Sequence, residues 1–258
     1  MTTALITGAS AGIGNAFASQ LAARGNDVVL VARDEERLQK LAAELRAQHN
    51  IAAEVLAADL TDTGALARVE ARLADAARPI DTLVNNAGFG SNGLLHELDV
   101  DDETREINLN VVALVRLTHA ALGPMVARRA GGILNVSSIA GMQPTPRNAT
   151  YGATKAFVTS FTQSVHEELR GTGVRATVVC PGFTRTEFQE RAGIDSSRLP
   201  GFLWQSAGEV AAGALDALER GRAVYVPGTM NRMTAGFVSV LPDSVTRRAA
   251  ALVIKFSE

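Results

Sequence analysis

Short apolar stretches alternate with longer amphipathic segments along almost the whole chain. The apolar stretches predict strands at 4–7, 27–32, 53–58, 82–85, 133–137, 175–179 and 223–226. Apolar residues at three- and four-residue spacing predict helices between them, at about 14–24, 35–48, 62–77, 101–129, 151–170 and 207–220. Nearly all-apolar strands that alternate with helices indicate an α/β fold, with a parallel sheet covered on both faces.

Capping residues and glycines support these boundaries. Asp34 and Thr61 are predicted helix N-caps, and Gly25 and Gly171 are predicted helix exits. The alternation is interrupted at 183–206 and again from about 230 to 258. Because no segment reads as a linker, we predict one domain over residues 1–258.

Composition excludes several classes of protein. Hydrophobic residues make up 47% of the chain, which is enough for a buried core, and the net charge of −2 gives no basic excess for nucleic acid. The single cysteine, Cys180, excludes an intrachain disulfide and suits a reducing compartment. The four histidines show no ligand spacing, so we expect no metal. Without a visible signal peptide or an apolar run of about 18 residues, the expected location is the cytoplasm.

Tyr151 and Lys155 are the clearest sign of chemistry. Residues four apart lie on one face of a helix, so a phenol and an ammonium would lie close together. A nearby positive charge stabilises the phenolate, and we therefore expect Lys155 to lower the pKa of Tyr151 from about 10. Such a tyrosine suits proton transfer.

A glycine-rich motif follows the first predicted strand and precedes a helix. Glycines at 8, 12 and 14 permit a tight turn and close approach to a diphosphate, whose charge the helix N-terminus favours. The spacing is Gly-x-x-x-Gly-x-Gly, which differs from the commoner dinucleotide fingerprint. Taken alone, the motif is also compatible with a simple glycine turn.

The chain resembles the short-chain dehydrogenase/reductase family. The elements that carry the resemblance follow the family's order over about residues 3–228, and they are the motif at 7–14, Asn85-Asn86-Ala87-Gly88, Ser138, Tyr151-x-x-x-Lys155 and Pro181-Gly182. The resemblance implies a Rossmann-like, doubly wound sheet of seven parallel strands with helices on both faces. It also implies hydride transfer between a nicotinamide cofactor and a ketone or secondary alcohol.

The resemblance assigns catalytic roles to four residues. Tyr151 corresponds to the general acid or base, Lys155 to the residue that holds the nicotinamide ribose, and Ser138 to the hydroxyl that binds the substrate oxygen. Ser137 is interpreted as the end of a strand. Asn108 is expected to hold the water of a proton relay through Lys155, with Asn110 as the rival position.

The end of the second strand bears on cofactor choice. Ala32 occupies the position where an acid would bind the ribose hydroxyl, and Arg33 follows it, which favours NADP(H) while leaving NAD(H) possible. The alternative is that Arg33 pairs with Asp34 or Glu36 on the surface. A basic residue that many NADP-preferring relatives carry before Gly12 is absent, because Ser10 and Ala11 stand there.

The remaining cofactor contacts also follow from the resemblance. Asp59 is expected to contact adenine, although it could equally cap the next helix. The full predicted cofactor set is Gly8, Ser10, Gly12, Ile13, Gly14, Arg33, Asp59, Leu60, Asn85, Asn86, Ala87, Gly88, Tyr151, Lys155, Pro181, Gly182, Phe183 and Thr184.

The substrate is encoded in the least regular parts of the chain. Aromatic and aliphatic residues at 183–206 indicate an apolar lid and a hydrophobic carbonyl or alcohol substrate, or they simply pack the lid onto the domain. The tail at 230–258 has helical apolar spacing with basic residues alongside, and we expect it to cover the protein; the alternative is contact with a membrane surface.

Assembly and activity leave two further alternatives. The long helices at 101–129 and 151–170 predict a homodimer or homotetramer through an apolar face that contains Val111, Val112, Val115 and Phe157. A nucleotide-binding regulator on the same fold remains an alternative to an enzyme, because fold does not fix function. The retained Ser138, Tyr151 and Lys155 favour the enzyme.

Overall fold

The computed structural model describes residues 2–193 and 200–238. Seven parallel strands form its central sheet in the order β3-β2-β1-β4-β5-β6-β9. Their bounds are β1 Thr3–Thr7, β2 Asp27–Ala32, β3 Ala53–Ala57, β4 Thr82–Asn85, β5 Gly131–Val136, β6 Val174–Val179 and β9 Val224–Tyr225. Two short strands, β7 Thr184–Arg185 and β8 Gln205–Ser206, pair separately in the lid region. The predicted fold class is confirmed.

Helices cover both faces of this sheet. Their bounds are α1 Gly12–Ala23, α2 Glu35–His49, α3 Thr63–Ala74, α4 Val100–Ile107, α5 Leu114–Ala127, α6 Ala149–Glu168, α7 Phe188–Arg191, α8 Ala207–Glu219 and α9 Thr229–Val238. Successive strand residues point to opposite faces. In β1, Ile6 therefore joins the core under α1 and α8, and Leu5 joins the core under α3 and α5.

The predicted helix at 101–129 is interrupted. Residues Asn108–Ala113 form a π-helical segment between α4 and α5. Such segments widen the helix locally and are frequent at functional sites. Since the apolar spacing continues through this segment, the sequence pattern gave no sign of the change.

The cap of α3 corrects another prediction. Asp62, and not Thr61, is the N-cap, because its carboxylate accepts the backbone N–H of Ala65 at 2.7 Å. Asp34 caps α2 as predicted, with Oδ1 accepting from Arg37 N at 3.0 Å.

One helical stretch, Val100–Ala127, is long and apolar enough to cross a membrane by length and composition alone. In the fold its C-terminal part, α5, packs against α3, β4 and β5. The buried apolar side chains Leu117, Ala121 and Met125 belong to the core on that face. Packing on the sheet therefore accounts for the apolar composition of this helix.

Candidate active site

The predicted functional residues collect at the carboxyl edge of the parallel sheet. Gly8 follows β1, Arg33 follows β2, Asn86 follows β4, Ser138 comes two residues after β5, and Pro181 comes two residues after β6. Ligands of open α/β sheets bind at this edge. The fold therefore brings residues from distant parts of the sequence to one cleft.

The glycine turn after β1 has the shape that a diphosphate requires. A Cβ on Gly14 would lie 2.2 Å from the carbonyl oxygen of Gly8, so only glycine allows this approach of the two backbone segments. Gly8 and Gly12 have φ of 66° and 55°, in the left-handed region. Helix α1 starts at Gly12 without a side-chain cap from Ala11, which leaves its first N–H groups facing the turn. This cradle fits a dinucleotide.

The Asn85–Gly88 motif is tied to the glycine turn. Asn86 Nδ2 donates to the carbonyl oxygen of Thr7 at 2.9 Å. Thr7 Oγ1 accepts the backbone N–H groups of Asn86 at 2.9 Å and Ala87 at 3.0 Å. These bonds hold the two cofactor-facing loops side by side.

Asn85 differs from the rest of this motif. Its side chain is buried, and Nδ2 donates to Thr118 Oγ1 at 3.0 Å and to Asn135 Oδ1 at 2.9 Å. Asn135 in turn donates to Thr162 Oγ1 at 2.9 Å. The Asn85 side chain therefore belongs to a polar chain inside the core, and a contact of Asn85 with the cofactor stays a prediction.

Arg33 is exposed at the end of β2, and its surroundings speak against a purely structural role. Asp34, the surface partner considered for it, pairs instead with Arg37 at 3.4 Å. The charge of Arg33 acts on Asp59, whose Oδ1 accepts from Thr61 N at 2.9 Å and Thr61 Oγ1 at 2.7 Å. Burial raises the pKa of Asp59, but these hydrogen bonds and Arg33 outweigh it, so the pKa lies below its usual value.

Tyr151 and Lys155 project from the first turns of α6. Lys155 is 5% exposed, and its Nζ lies 5.6 Å from the centroid of the Tyr151 ring. The same Nζ donates to the carbonyl oxygen of Val136 at 2.9 Å. Ser138 forms a hydrogen bond with the Tyr151 side chain, and its Oγ also accepts from Ala140 N at 3.1 Å. Ser137, by contrast, is buried and donates to the carbonyl oxygen of Lys155 at 2.7 Å.

The protonation of this pair differs from the sequence-based expectation. Burial raises the pKa of Tyr151 above its usual value, the hydrogen bond with Ser138 lowers it, and the negative charge of Glu106 raises it further. Burial lowers the pKa of Lys155 to about 8, against the opposing charges of Glu106 and Cys180. The expected lowering of the Tyr151 pKa is therefore wrong for the protein without cofactor, because burial disfavours the phenolate.

Asn110, and not Asn108, lies beside Lys155. Asn110 is 1% exposed, and its Nδ2 donates to the carbonyl oxygen of Phe89 at 2.9 Å and to Thr154 Oγ1 at 3.1 Å. A Cβ on Gly88 would lie 2.8 Å from Asn110 Oδ1 and 3.4 Å from Lys155 Nζ, so the two side chains meet at Gly88. The choice of Asn108 is corrected, since the π-helical segment turns position 110 toward the site.

The loop after β6 is hydrogen-bonded to the segment that follows β5. The carbonyl oxygen of Pro181 accepts from Ile139 N at 3.0 Å, and Thr184 is buried with its Oγ1 donating to the carbonyl oxygen of Gly182 at 3.1 Å. Asn231 of α9 packs on this loop, because a Cβ on Gly182 would lie 2.5 Å from Asn231 Nδ2. The beginning of the predicted tail is thus part of the site, whereas residues 239–258 lie outside the described residues.

Aromatic side chains line the substrate side. The Phe188 ring lies 5.4 Å from the Tyr151 ring, and the Phe183 ring lies 5.8 Å from the Trp204 ring, measured between centroids. Residues 194–199 of the predicted lid lie outside the described residues. The described part of the lid thus places one aromatic ring, that of Phe188, against Tyr151.

Sequence reasoning missed Glu106 and Thr154. Glu106 is fully buried near Tyr151 and Lys155, and Thr154 accepts from Asn110 while donating to the carbonyl oxygen of Tyr151 at 2.8 Å. Apolar spacing gave no sign of Glu106, because the buried side of α4 carries glutamates and its apolar residues are exposed.

Comparison with known proteins identifies the family of this chain. Residues 2–196 match the short chain dehydrogenase family. Sulfoacetaldehyde reductase 2 of Chromohalobacter salexigens is 42% identical over 186 residues, which cover 71% of this chain and 73% of that protein.

Two solved structures extend the similarity to the whole fold. A short-chain dehydrogenase from Sphingobium yanoikuyae in complex with NADPH has a TM-score of 0.84 at 39% identity, covering 94% of this chain and 97% of that one. The bulky-bulky ketone specific alcohol dehydrogenase from Comamonas testosteroni has a TM-score of 0.80 at 33% identity, covering 94% of this chain and 95% of that one. The chain therefore belongs to the short-chain dehydrogenase family, and it is an oxidoreductase that acts on carbonyl and alcohol groups.

Proposed function

We propose that this protein reduces bulky, apolar ketones with NADPH, and oxidises the corresponding secondary alcohols in reverse, with Tyr151 as the general acid or base. The observation that carries the proposal is the cluster of Ser138, Tyr151 and Lys155 beside the Phe188 ring. A regulator that only bound nucleotide would have no use for a buried proton donor in this position.

Tyr151 and Ser138 have different roles in the proposed reduction. NADPH, when bound, supplies the hydride. The Tyr151 hydroxyl donates its proton to the carbonyl oxygen of the substrate, while the Ser138 hydroxyl donates a hydrogen bond to the same oxygen. With its pKa raised, Tyr151 is protonated at neutral pH and so holds the proton that the reduction requires.

Lys155 and Asn110 assist Tyr151 in its role as the general acid. The Lys155 ammonium would bind the ribose hydroxyls of the cofactor and would pass the replacement proton toward Tyr151. Asn110 donates to the backbone of Phe89 and to the hydroxyl of Thr154, and so holds these two residues in place beside Lys155. We assign to Asn110 the relay role that the family resemblance implied for Asn108.

NADP(H) is the cofactor that this site favours. Arg33 supplies a positive charge at the position where a 2′-phosphate would lie, and Ala32 leaves no acid there to repel it. The solved relative from Sphingobium yanoikuyae binds NADPH, which supports the assignment.

Phe188, Phe183 and Trp204 favour a substrate with large apolar groups. The similarity to a dehydrogenase specific for bulky-bulky ketones supports this class. The test is NADPH oxidation with acetone-sized, diaryl, steroid and long-chain ketones, with sulfoacetaldehyde as a small anionic comparison. We expect the highest kcat/KM for the large apolar ketones. A preference for the small anionic aldehyde would contradict the proposed substrate class. If no ketone caused NADPH oxidation, the proposed ketone reductase activity would be contradicted.

We further infer a homodimer or homotetramer in the cytoplasm. Val112, in the π-helical segment before α5, is 42% exposed, and Phe157 on α6 is 41% exposed and stacks on Phe161 at 5.7 Å. Exposed apolar side chains on two long helices favour a self-complementary interface. The buried free thiol of Cys180 suits a reducing compartment.

The packing of Asn231 on Gly182, with its hydrogen bond to Gln205 at 3.1 Å, favours a tail that covers the protein over one that lies on a membrane.

A further inference from the structure

Two glutamates of α4 are buried directly behind the active site. Glu103 and Glu106 are 6% and 0% exposed, and they lie one helical turn apart. Burying a carboxylate is costly unless other groups hold it in place. Neither residue has a role in the family set of Ser138, Tyr151 and Lys155, so their burial requires a separate explanation.

Both carboxylates hold segments that carry the site. Glu106 Oε2 accepts from the Ser91 backbone N–H at 3.0 Å and from Ser91 Oγ at 3.2 Å. Glu103 Oε2 accepts from Thr150 Oγ1, and Thr150 immediately precedes Tyr151. The carbonyl oxygen of Ser91 accepts from Asn148 Nδ2 at the start of α6. Helix α4 therefore ties the Ser91 loop to the beginning of the catalytic helix.

The Ser91 loop is also a wall of the Tyr151 pocket. A Cβ on Gly90 would lie 2.7 Å from Cδ2 of Tyr151, so the backbone next to Ser91 packs flat on the ring. Phe188 stands 5.4 Å from the same ring. A shift of the Ser91 loop would therefore change the space in which Tyr151 meets its substrate.

The charge of Glu106 reaches the same two residues. Burial raises the pKa of Glu106 to about 7, the hydrogen bonds from Ser91 lower it, Glu103 raises it and Lys155 lowers it. In return, ionised Glu106 raises the pKa values of Tyr151 and Lys155. Across the described part of the chain, Oε1 of Glu103 and Oε1 of Glu106 are buried without a hydrogen-bond partner.

We propose that Glu106 is a positioning residue, which holds the Ser91 loop against the Tyr151 ring and brings a titratable carboxyl to the back of the Tyr151–Lys155 pair. The inference rests on the proposed role of Tyr151 as acid and base. It adds a residue of α4 to the site.

The first test compares Glu106→Gln, Glu106→Ala and Asp101→Asn, the last being an exposed acid on the same helix. Glutamine still accepts from Ser91, so kcat should stay within about fivefold of wild type, whereas alanine should lower kcat at least about tenfold with nearly unchanged NADPH affinity. In alcohol oxidation, which needs the phenolate, the rising limb of the pH profile should move about one unit lower in Glu106→Gln, because a nearby negative charge is removed. Wild-type kcat in Glu106→Ala, or an unmoved limb in Glu106→Gln, would overturn the inference. Asp101→Asn should leave both kcat and the rising limb of the pH profile unchanged.

The second test needs no catalysis. The folded-state pKa of Glu106 lies near 7 and above the ordinary 4.5, so the native protein holds this proton more tightly and loses stability as pH rises through that window. The Tm of Glu106→Gln minus that of wild type should therefore grow by about 5 °C between about pH 5 and about pH 8. A constant difference would overturn the inference even in a protein with full activity. If wild type reduces no ketone, the proposed function fails, while this measurement still decides whether Glu106 titrates as inferred.

Discussion

The Lys155 ammonium lies 5.6 Å from the centroid of the Tyr151 ring and donates at 2.9 Å to the carbonyl oxygen of Val136. The two side chains thus share a face of α6, while Lys155 is anchored to the end of β5. Tyr151 and Lys155 consequently have separable roles, and substitutions at the two positions should have different effects.

Tyr151→Phe should lower kcat by about a thousandfold, the scale of a lost general acid, because the proton donor is removed. The NADPH Kd should stay within about twofold, since the substitution keeps the ring. Ketone-dependent NADPH oxidation and cofactor fluorescence measure the two effects. Tyr225→Phe removes the other tyrosine hydroxyl of the chain, in β9, and should leave kcat unchanged. Near-normal kcat in Tyr151→Phe would refute the mechanism.

Lys155 should make NADPH binding depend on pH. Its pKa of about 8 in the free protein means that the ammonium is lost as pH rises through that value. If the bound cofactor needs the ammonium, NADPH affinity should fall about tenfold between about pH 7 and about pH 9. Lys155→Met should bind more weakly and without this dependence, while exposed Lys40→Met should behave as wild type. Identical pH profiles in Lys155→Met and wild type would contradict the assignment.

Arg33→Ala should weaken NADPH binding by about 1.5–3 kcal/mol, the scale of hydrogen bonds to a charged group, because the partner of the 2′-phosphate is lost. NADH binding should hardly change. Titration of both cofactors measures the difference, with Arg170→Ala as a control, since Arg170 pairs with Glu167 at the far end of α6. Equal losses for both cofactors would show that Arg33 does not read the phosphate.

Asn110→Ala should reduce kcat at least about tenfold and lower Tm, because a buried amide that holds Phe89 and Thr154 is removed. Asn108→Ala, two residues away, is the matched control and should change kcat less than about threefold. Steady-state kinetics and thermal unfolding of the two variants are sufficient. A larger loss of kcat in Asn108→Ala than in Asn110→Ala would favour Asn108 as the relay residue.

Val112→Asp combined with Phe157→Asp should convert the oligomer to monomer, because two charges would be buried in the proposed interface. Val100→Asp is the control, since Val100 is 74% exposed at the start of α4, where an acidic residue is tolerated. Light scattering at micromolar protein reports the mass. A wild type that is already monomeric at this concentration would contradict the proposed assembly.

The strands of the central sheet, their alternation with helices and most of the cleft could be predicted from the amino-acid sequence alone. Strand residues such as Leu5 and Ile6 are buried from both sides, so their apolar runs are unambiguous. Gly14, Tyr151 and Lys155 were recognisable because their spacing is local to one turn or one helix, and Ser138 was recognisable from the family resemblance.

The relations between distant segments became visible only in the folded structure. The π-helical segment changes which asparagine faces Lys155, and no apolar spacing records that change. Asn85 and Asn86 are neighbours in sequence, yet a strand alternates their directions, so one enters the core and the other the glycine turn. The protonation of Tyr151 depends on burial and on Glu106, which come together only when α4 and α6 pack at the same end of the sheet.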